Sequence, residues 1–358
     1  MNAIVIDQFV KDPSSLAVRT LPAKQSPPPP HHLRIRVTHA SVTHVDLLYA
    51  QGLHQNNRRH AAPPFVLGTE FAGVVLAAGA DASSAAPGAR VFGFARGTYA
   101  EELCVHERQV RRVPAGWSAA EACAVGPSAA VSYGALVDAG RLRPGERVLV
   151  LGASGGLGVC AIQIARALGA KQVIGLVGEE EGPKADVVRR LGARTVSYRT
   201  PGWEKEVLEI TGGEGVDLVY DSVGAVDRCL RCTKYGGRIV VVGFAGRGGE
   251  MERVKVNKIL LNAASVVGYR FGEQSRREPE KTEAVQNAVT RLIDAGAIAP
   301  IVYYKHYVGL QAIPAAMTDV KNRKVWGRAV VSISNEDDDS GVTVFRRKES
   351  NSRRDSSL

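Results

Sequence analysis

Four glycines at Gly152, Gly155, Gly156 and Gly158 sit between an apolar run and an amphipathic one, in RVLVLGASGGLGVCAIQIARALGA over 147–170. Residues of this type at this spacing can hold a phosphate. The run Val148–Leu151 lacks polar alternation and predicts a strand covered on both faces. Gly152–Gly158 predicts a turn and Val159–Leu168 a helix. Gly152 permits the tight turn, Gly155 and Gly156 let a pyrophosphate approach the backbone, and Gly158 lets helix and strand pack closely. Ser154 is the candidate cap of the helix, whose free N–H groups and dipole attract phosphate. The spacing is G-x-x-G-x-x-G. Its position after a strand and before a helix, leading into further β-α units, points to a bound dinucleotide.

The elements that must carry this turn can be read outward from it. Residues 1–127 read as β-rich, with strands expected at Ala3–Ile6, Leu33–Thr38, Gly73–Ala78 and Arg90–Phe94. A helix is expected at Ala130–Ala139. Then come strands Val173–Val177, Arg194–Ser197, Val216–Asp221, Arg238–Gly243 and Ser265–Tyr269. They alternate with helices Lys184–Leu191, Trp203–Thr211 and Ala225–Lys234. Alternation of this kind implies a parallel sheet with helices on both faces. Glu280–Ala295 reads as a further amphipathic helix. Tyr307–Leu310 and Arg328–Ile333 have β character and are expected to return to the first domain. The chain is therefore expected to be α/β: a doubly wound parallel sheet of Rossmann type (128–269) inserted in a β-rich domain built from 1–127 and 270–334. A polar, charged tail over 335–358 is expected to be disordered.

Composition narrows the class. At 358 residues and 45% hydrophobic, the chain can bury the cores of two domains. No apolar run approaches the ~20 residues that span a bilayer, so no membrane partner is expected. The opening MNAIVIDQFV lacks the basic region and cleavage site of a signal peptide. Five scattered cysteines suit a reducing compartment. Cys229 and Cys232 form a C-x-x-C with no second pair at zinc-site spacing, and are read as buried thiols. The final Ser356-Ser357-Leu358 departs from the Ser-Lys-Leu peroxisomal address, and a cytoplasmic location is the default expectation. The net charge of +10 divides into −1 for the tail, with six acids and five bases, and +11 for the rest. That surplus suits an anionic ligand such as a phosphorylated cofactor. No RNA-binding motif is present.

The motifs Gly68-Thr69-Glu70-Phe71-Ala72-Gly73, Gly97-Thr98-Tyr99-Ala100-Glu101, Gly152–Gly158, Asp217–Gly224 and Gly236-Gly237-Arg238-Ile239-Val240 resemble those of the medium-chain dehydrogenase/reductase superfamily. The likeness is to its zinc-free, zeta-crystallin-like quinone oxidoreductase branch, over all but the tail. The resemblance implies that the β-rich part is a GroES-like catalytic domain. Zinc-dependent relatives place a histidine where Thr69 stands, and threonine is a poor zinc ligand. The lobe of four close cysteines is also missing, so no metal is expected. Without a Lewis acid, alcohol oxidation loses the group that stabilises alkoxide. Hydride addition to a quinone or α,β-unsaturated carbonyl (enone) delocalises its charge, and one hydrogen-bond donor suffices.

The ribose-gripping acid of NAD enzymes usually ends the second strand. Here that strand ends Leu176-Val177-Gly178, although Glu179, Glu180 and Glu181 follow at once. The resemblance instead assigns Lys184 and Tyr198 to a 2′-phosphate, with Arg199 as a second cation, and so favours NADPH. It implies further cofactor contacts at Ser132 (with Val131), along the turn at Gly152, Ser154, Gly155, Gly156, Leu157 and Gly158, and at the strand ends Ser222, Gly224, Gly243, Phe244, Tyr269 and Phe271. Val42–Asp46 departs from the family, which has asparagine at Thr43 and proline or an aromatic at His44. Thr43, His44 and Tyr49 are the candidates for touching substrate, and Asp46 is read as ordering the loop. The family also implies a homodimer through the edge of the cofactor-domain sheet. Two alternatives remain: a reductase acting in trans for a polyketide synthase on a carrier protein, and a non-enzymatic NADPH sensor that touches RNA.

Overall fold

The computed structural model describes residues 1–22, 26–246 and 252–333. The tail expected over 335–358 lies outside the described residues. Six strands form one parallel sheet in the order Arg194–Ser197, Gln172–Val177, Arg147–Val150, Val216–Asp221, Thr233–Val241, Ser265–Gly268. The strand before the glycine turn is thus central. The side on which successive strands are added reverses between it and Val216–Asp221, which sets a crevice at the carboxyl ends of the strands. Val148, Leu149 and Val150 are wholly buried. They are covered on one face by the helix Gly156–Ala167 and on the other by Trp203 and its neighbours.

A second, seven-stranded sheet carries the β-rich domain. Its long strand His32–Val42 pairs antiparallel with Glu70–Ala78, Glu102–His106 and the returning Ala329–Ser332. The last pairing, with Val331 opposite Ala40, brings the far end of the chain back to the first domain. A doubly wound Rossmann sheet inserted in a GroES-like domain is the fold.

Several elements differ from the sequence expectation. The helix expected at Ala130–Ala139 begins earlier, spans Ala119–Gly134 and ends in a π-turn at Ala135–Ala139. Ser118 and Glu121 form a capping box that starts it, and Gly126 (φ 12°, ψ −125°) before Pro127 kinks it without ending it. The boundary expected at 127/128 falls inside this helix. The helix expected at Ala225–Lys234 shrinks to Val226–Cys229. Thr233 Oγ1 donates to the Cys229 carbonyl, and the Val216 N–H bonds the Cys232 carbonyl, so the chain is already turning into its strand. Helices at His44–Gln51, Phe271–Arg277 and Ile313–Lys321 were not foreseen. Cys229 and Cys232 are buried and free. Among the described residues no helix is long and apolar enough to cross a membrane.

Candidate active site

The glycine turn has the backbone its sequence requires. Gly152 takes φ +63°. A Cβ on Gly158 would lie 2.3 Å from the Gly152 carbonyl oxygen, so only glycine lets helix and strand approach this closely. Gly155, not Ser154, is the N-cap residue of the helix Gly156–Ala167, and no side chain caps it. The expected Ser154 cap is therefore corrected. Ser154 instead accepts the Gly327 N–H at its carbonyl. The first-turn N–H groups are left for an anion, which is where a helix dipole favours one.

The residue that completes this turn was not foreseen. Arg328 begins the return into the β-rich domain and is 9% exposed. Its Nη2 donates to Glu70 Oε1 at 3.0 Å and to Ser128 Oγ. Its Nε has no hydrogen-bond partner and lies 2.7 Å from where a Gly156 Cβ would stand. A buried guanidinium nitrogen left unpaired beside an uncapped helix start fits a pyrophosphate oxygen. Glu70, also accepting from Ser41 Oγ, supplies the countercharge. Burial pushes its carboxyl up and Arg328 pulls it down.

The next strand end gathers cations. Tyr198 Oη lies 3.1 Å from where a Gly178 Cβ would be, so the hydroxyl passes close over that glycine. Lys184 donates to the carbonyl oxygen of Arg323. Its amine is held below the usual lysine range by burial and then by Arg323, with Arg199 adding to the effect and Glu179 opposing it. Arg199 pairs with Glu179 at 2.6 Å. Lys184 thus sits in the field of two further cations, Arg323 and Arg199, an arrangement that a doubly charged phosphate relieves. Arg323 comes from the β-rich domain, with φ +56° after the helix Ile313–Lys321. Nothing in its local sequence announced this role.

The remaining expected cofactor residues divide. Ser222 Oγ donates to the Leu151 carbonyl and sits beside Gly152. The Gly224 N–H donates to Asp221 Oδ1 in a turn that also binds Val223 and Ala225. Gly243 lies against Ser222, and Phe244 is exposed beside it. These line the crevice end of the sheet. Ser132 is fully buried and donates to the Leu157 carbonyl. Tyr269 turns inward over Gly134 and donates to Gln274 Oε1 at 2.7 Å. Phe271 packs on Phe94 with ring centres 5.2 Å apart. These three side chains support the wall rather than face the crevice.

The three substrate candidates separate sharply. Thr43 is the N-cap of His44–Gln51: its hydroxyl accepts from the Asp46 N–H and donates to Asp46 Oδ2 at 2.7 Å. Thr69 Oγ1 donates to the other Asp46 oxygen at 2.8 Å. Asp46 is a wholly buried loop anchor, and Thr43 has no proton to spare. His44 is half-buried, held below its ordinary pKa by burial and then by Arg323. It faces the cation cluster. Tyr49 stands elsewhere, stacked on His54 at 4.1 Å and accepting from Asn56 Nδ2 at 2.8 Å. Asn56 Oδ1 accepts in turn from Arg270 at 3.1 Å, across the mouth of the crevice. Among the described residues no group of three His, Cys, Asp or Glu side chains is placed to hold a metal ion.

Comparison with known proteins agrees with this geometry. Residues 29–115 match the alcohol dehydrogenase GroES-like domain, and 156–290 match the family described as zinc-binding dehydrogenase. Quinone oxidoreductase-like protein 2 of Bos taurus is 32% identical over 312 residues, covering 86% of each chain. Quinone oxidoreductase of Escherichia coli, solved as a complex with NADPH, superposes with TM-score 0.81 at 26% identity, covering 93% of this chain and 100% of that one. The pikromycin polyketide synthase component PikAII of Streptomyces venezuelae matches 75% of this chain at 33% identity, within 7% of its own length.

Two outcomes follow from the geometry. Glu70→Leu leaves the Arg328 charge buried without a counterion and costs about 3–5 kcal/mol of stability in denaturant titration. The double variant with Arg328→Met recovers most of it, yet binds dinucleotide more weakly than the parent. Recovered stability with unchanged affinity would make Arg328 a structural residue only. His54 is pulled from 6.5 to about 4 by burial, then by Arg270 and Arg276. Its folded pKa is below its unfolded one, so the stability it contributes is present above pH 6.5 and fades as pH falls toward 4. An NMR titration of the imidazole should give a midpoint near 4; an ordinary midpoint would contradict this burial.

Proposed function

The chain belongs to the quinone oxidoreductase-like medium-chain dehydrogenases/reductases, and from that premise we propose that it is an NADPH-dependent reductase of quinones or α,β-unsaturated carbonyls that works without zinc. The observation that carries the cofactor choice is the placing of Lys184 against Arg323, within the field of Arg199, the chain neighbour of Tyr198. Glu179 is the nearest candidate for a ribose acceptor, and it is engaged by Arg199. The NADPH complex of the Escherichia coli relative supports the same choice.

When bound, the reduced nicotinamide supplies the hydride. The chain's residues do the rest. The uncapped turn at Gly155–Gly156 and the Arg328 Nε receive the pyrophosphate. Lys184, Tyr198 and Arg323 hold the 2′-phosphate. Ser222, Gly224, Gly243 and Phe244 border the ring. Negative charge that develops on the substrate oxygen meets hydrogen-bond donors rather than a metal. Thr69, at the family's zinc-histidine position, is spent on Asp46.

A carrier-bound enone is a second reading, favoured by the polyketide synthase match and by exposed Arg58, Arg59, Arg96, Arg270, Arg276 and Arg277 near the crevice mouth. An acidic carrier protein would complement that rim. We also propose that two copies associate through the sheet edge at Ser265–Gly268. Beside it Val256, Leu260 and Leu261 are 74%, 78% and 72% exposed, which is unusual for a monomer's surface.

Titration of the protein with NADPH and NADH, followed by 9,10-phenanthrenequinone or a simple enone at 340 nm, tests the function. NADPH binds more tightly, Lys184→Ala weakens it by about 10–100-fold (the worth of one or two charge-assisted hydrogen bonds), and NADH binding is little changed. Oxidation on adding either free acceptor supports the small-molecule reading; oxidation only with a carrier-bound enone supports the second. Equal affinity for the two nucleotides would contradict the cation-cluster argument. Light scattering should give twice 38.2 kDa, reduced to the monomer mass by Leu260→Glu; a monomeric parent protein would contradict the edge-to-edge dimer.

A further inference from the structure

Of the three substrate candidates, only Tyr49 has a hydroxyl whose proton is uncommitted. Its oxygen accepts from Asn56 Nδ2 at 2.8 Å. Among the described residues no group accepts its proton. The direction of this bond is fixed by what lies behind it. Arg270 Nη2 approaches the other end of the same carboxamide at 3.1 Å. A guanidinium carries donors and no acceptor, so Asn56 must turn its oxygen to Arg270 and its nitrogen to Tyr49. The phenol oxygen is then already receiving a hydrogen bond, and its own proton points away from Asn56. His54, stacked on the ring at 4.1 Å, and Phe65, edge-on at 6.4 Å, restrict the ring itself.

The three residues come from distant parts of the chain. Tyr49 ends the helix that begins at the Thr43 cap, and Asn56 lies on the short 3-10 turn Gln55–Arg58. Arg270 is 214 residues away from Asn56 and just follows the strand Ser265–Gly268, on the side where the sheet's carboxyl ends open. The chain of hydrogen bonds therefore exists only while Arg270, just past the end of the strand Ser265–Gly268, stands against the turn Gln55–Arg58.

We propose that Arg270 and Asn56 are positioning residues that commit Tyr49 to donating its proton to the substrate oxygen. The proposal rests on the reductase reading above. In that reaction the hydride brings two electrons and a hydrogen to the β-carbon. The former C=C pair shifts toward the carbonyl and the oxygen becomes an enolate. The Tyr49 O–H bond breaks as the new O–H bond forms. The tyrosinate left behind keeps the Asn56 N–H, which stabilises its charge until water returns a proton. Thr43 cannot take this part, because its hydroxyl already donates to Asp46. His44 faces Arg323.

The test reverses the hydrogen bond without removing it. In Asn56→Asp a carboxylate can accept from both Arg270 and Tyr49, so the phenol proton turns inward. With NADPH and a simple enone, Asn56→Asp and Tyr49→Phe should each lower kcat by on the order of 10²-fold, with little change in KM. The double variant should be no slower than either single one. Arg270→Lys, which still donates, keeps most of the activity, whereas Arg270→Leu does not. Unchanged NADPH affinity and thermal midpoint establish that the variants are folded. A readout independent of turnover is the Asn56 side-chain amide resonance of the cofactor-free protein, which should shift in both Tyr49→Phe and Arg270→Leu. Full turnover in Asn56→Asp, or an amide resonance that does not move, overturns the positioning role and leaves the reductase reading standing. A parent protein that oxidises no NADPH with any acceptor overturns both.

Discussion

The buried pair of Arg328 and Glu70 is the constraint on which the rest of the structure depends. A guanidinium this deeply enclosed is costly unless every part of it is compensated. Glu70 from the β-rich sheet and Ser128 from the kinked helix Ala119–Gly134 compensate one nitrogen. That brings three remote segments to one point, beside the glycine turn. The remaining Nε faces the start of the helix Gly156–Ala167. Gly156 then has a second purpose beyond backbone approach to a ligand. A side chain there would collide with Arg328.

From that point the crevice has two chemically different ends. Toward the adenosine side, Arg323 and Arg199 set positive charge against that of Lys184, a repulsion that a phosphate relieves. Toward the reacting side, buried hydrogen-bonded groups lie in the field of Arg96, Arg270 and Arg276. Asp46 is consumed by Thr43 and Thr69, His54 is held neutral by burial, and Tyr49 is held by Asn56. In both places a residue distant in the chain completes a cluster: Arg323 for Lys184, and Arg270 for Asn56.

The sequence disclosed what is local. The central strand, the glycine turn and the alternating units around it follow from runs of apolar residues and fixed glycine spacings, and all are present. What it hid is long-range or competitive. Arg328 and Glu70 are 258 residues apart, and neither position is chemically conspicuous alone. Asn56 sits in a polar stretch that resembles any surface loop. The helix expected at Ala225–Lys234 is cut to Val226–Cys229 because helical propensity beyond Cys229 loses to the strand that begins at Thr233. Ser154 looked like a cap by residue type, but its carbonyl is bridged to Gly327 and Gly155 takes the cap position. The substrate candidates are alike in type and place, and only geometry separates them: Thr43 is spent on a cap, His44 feels the charge of Arg323, and Tyr49 keeps its proton free.

The central claim is that this chain grips a dinucleotide by its phosphates, with a cation cluster at one and a glycine turn with Arg328 at the other. Phosphorus-31 NMR of NADPH bound to the protein, followed as a function of pH, tests it most directly. The account predicts that the 2′-phosphate stays dianionic below its ordinary second pKa of about 6, and that the pyrophosphate resonances shift on binding. A 2′-phosphate that titrates in the complex as it does free in solution would contradict it.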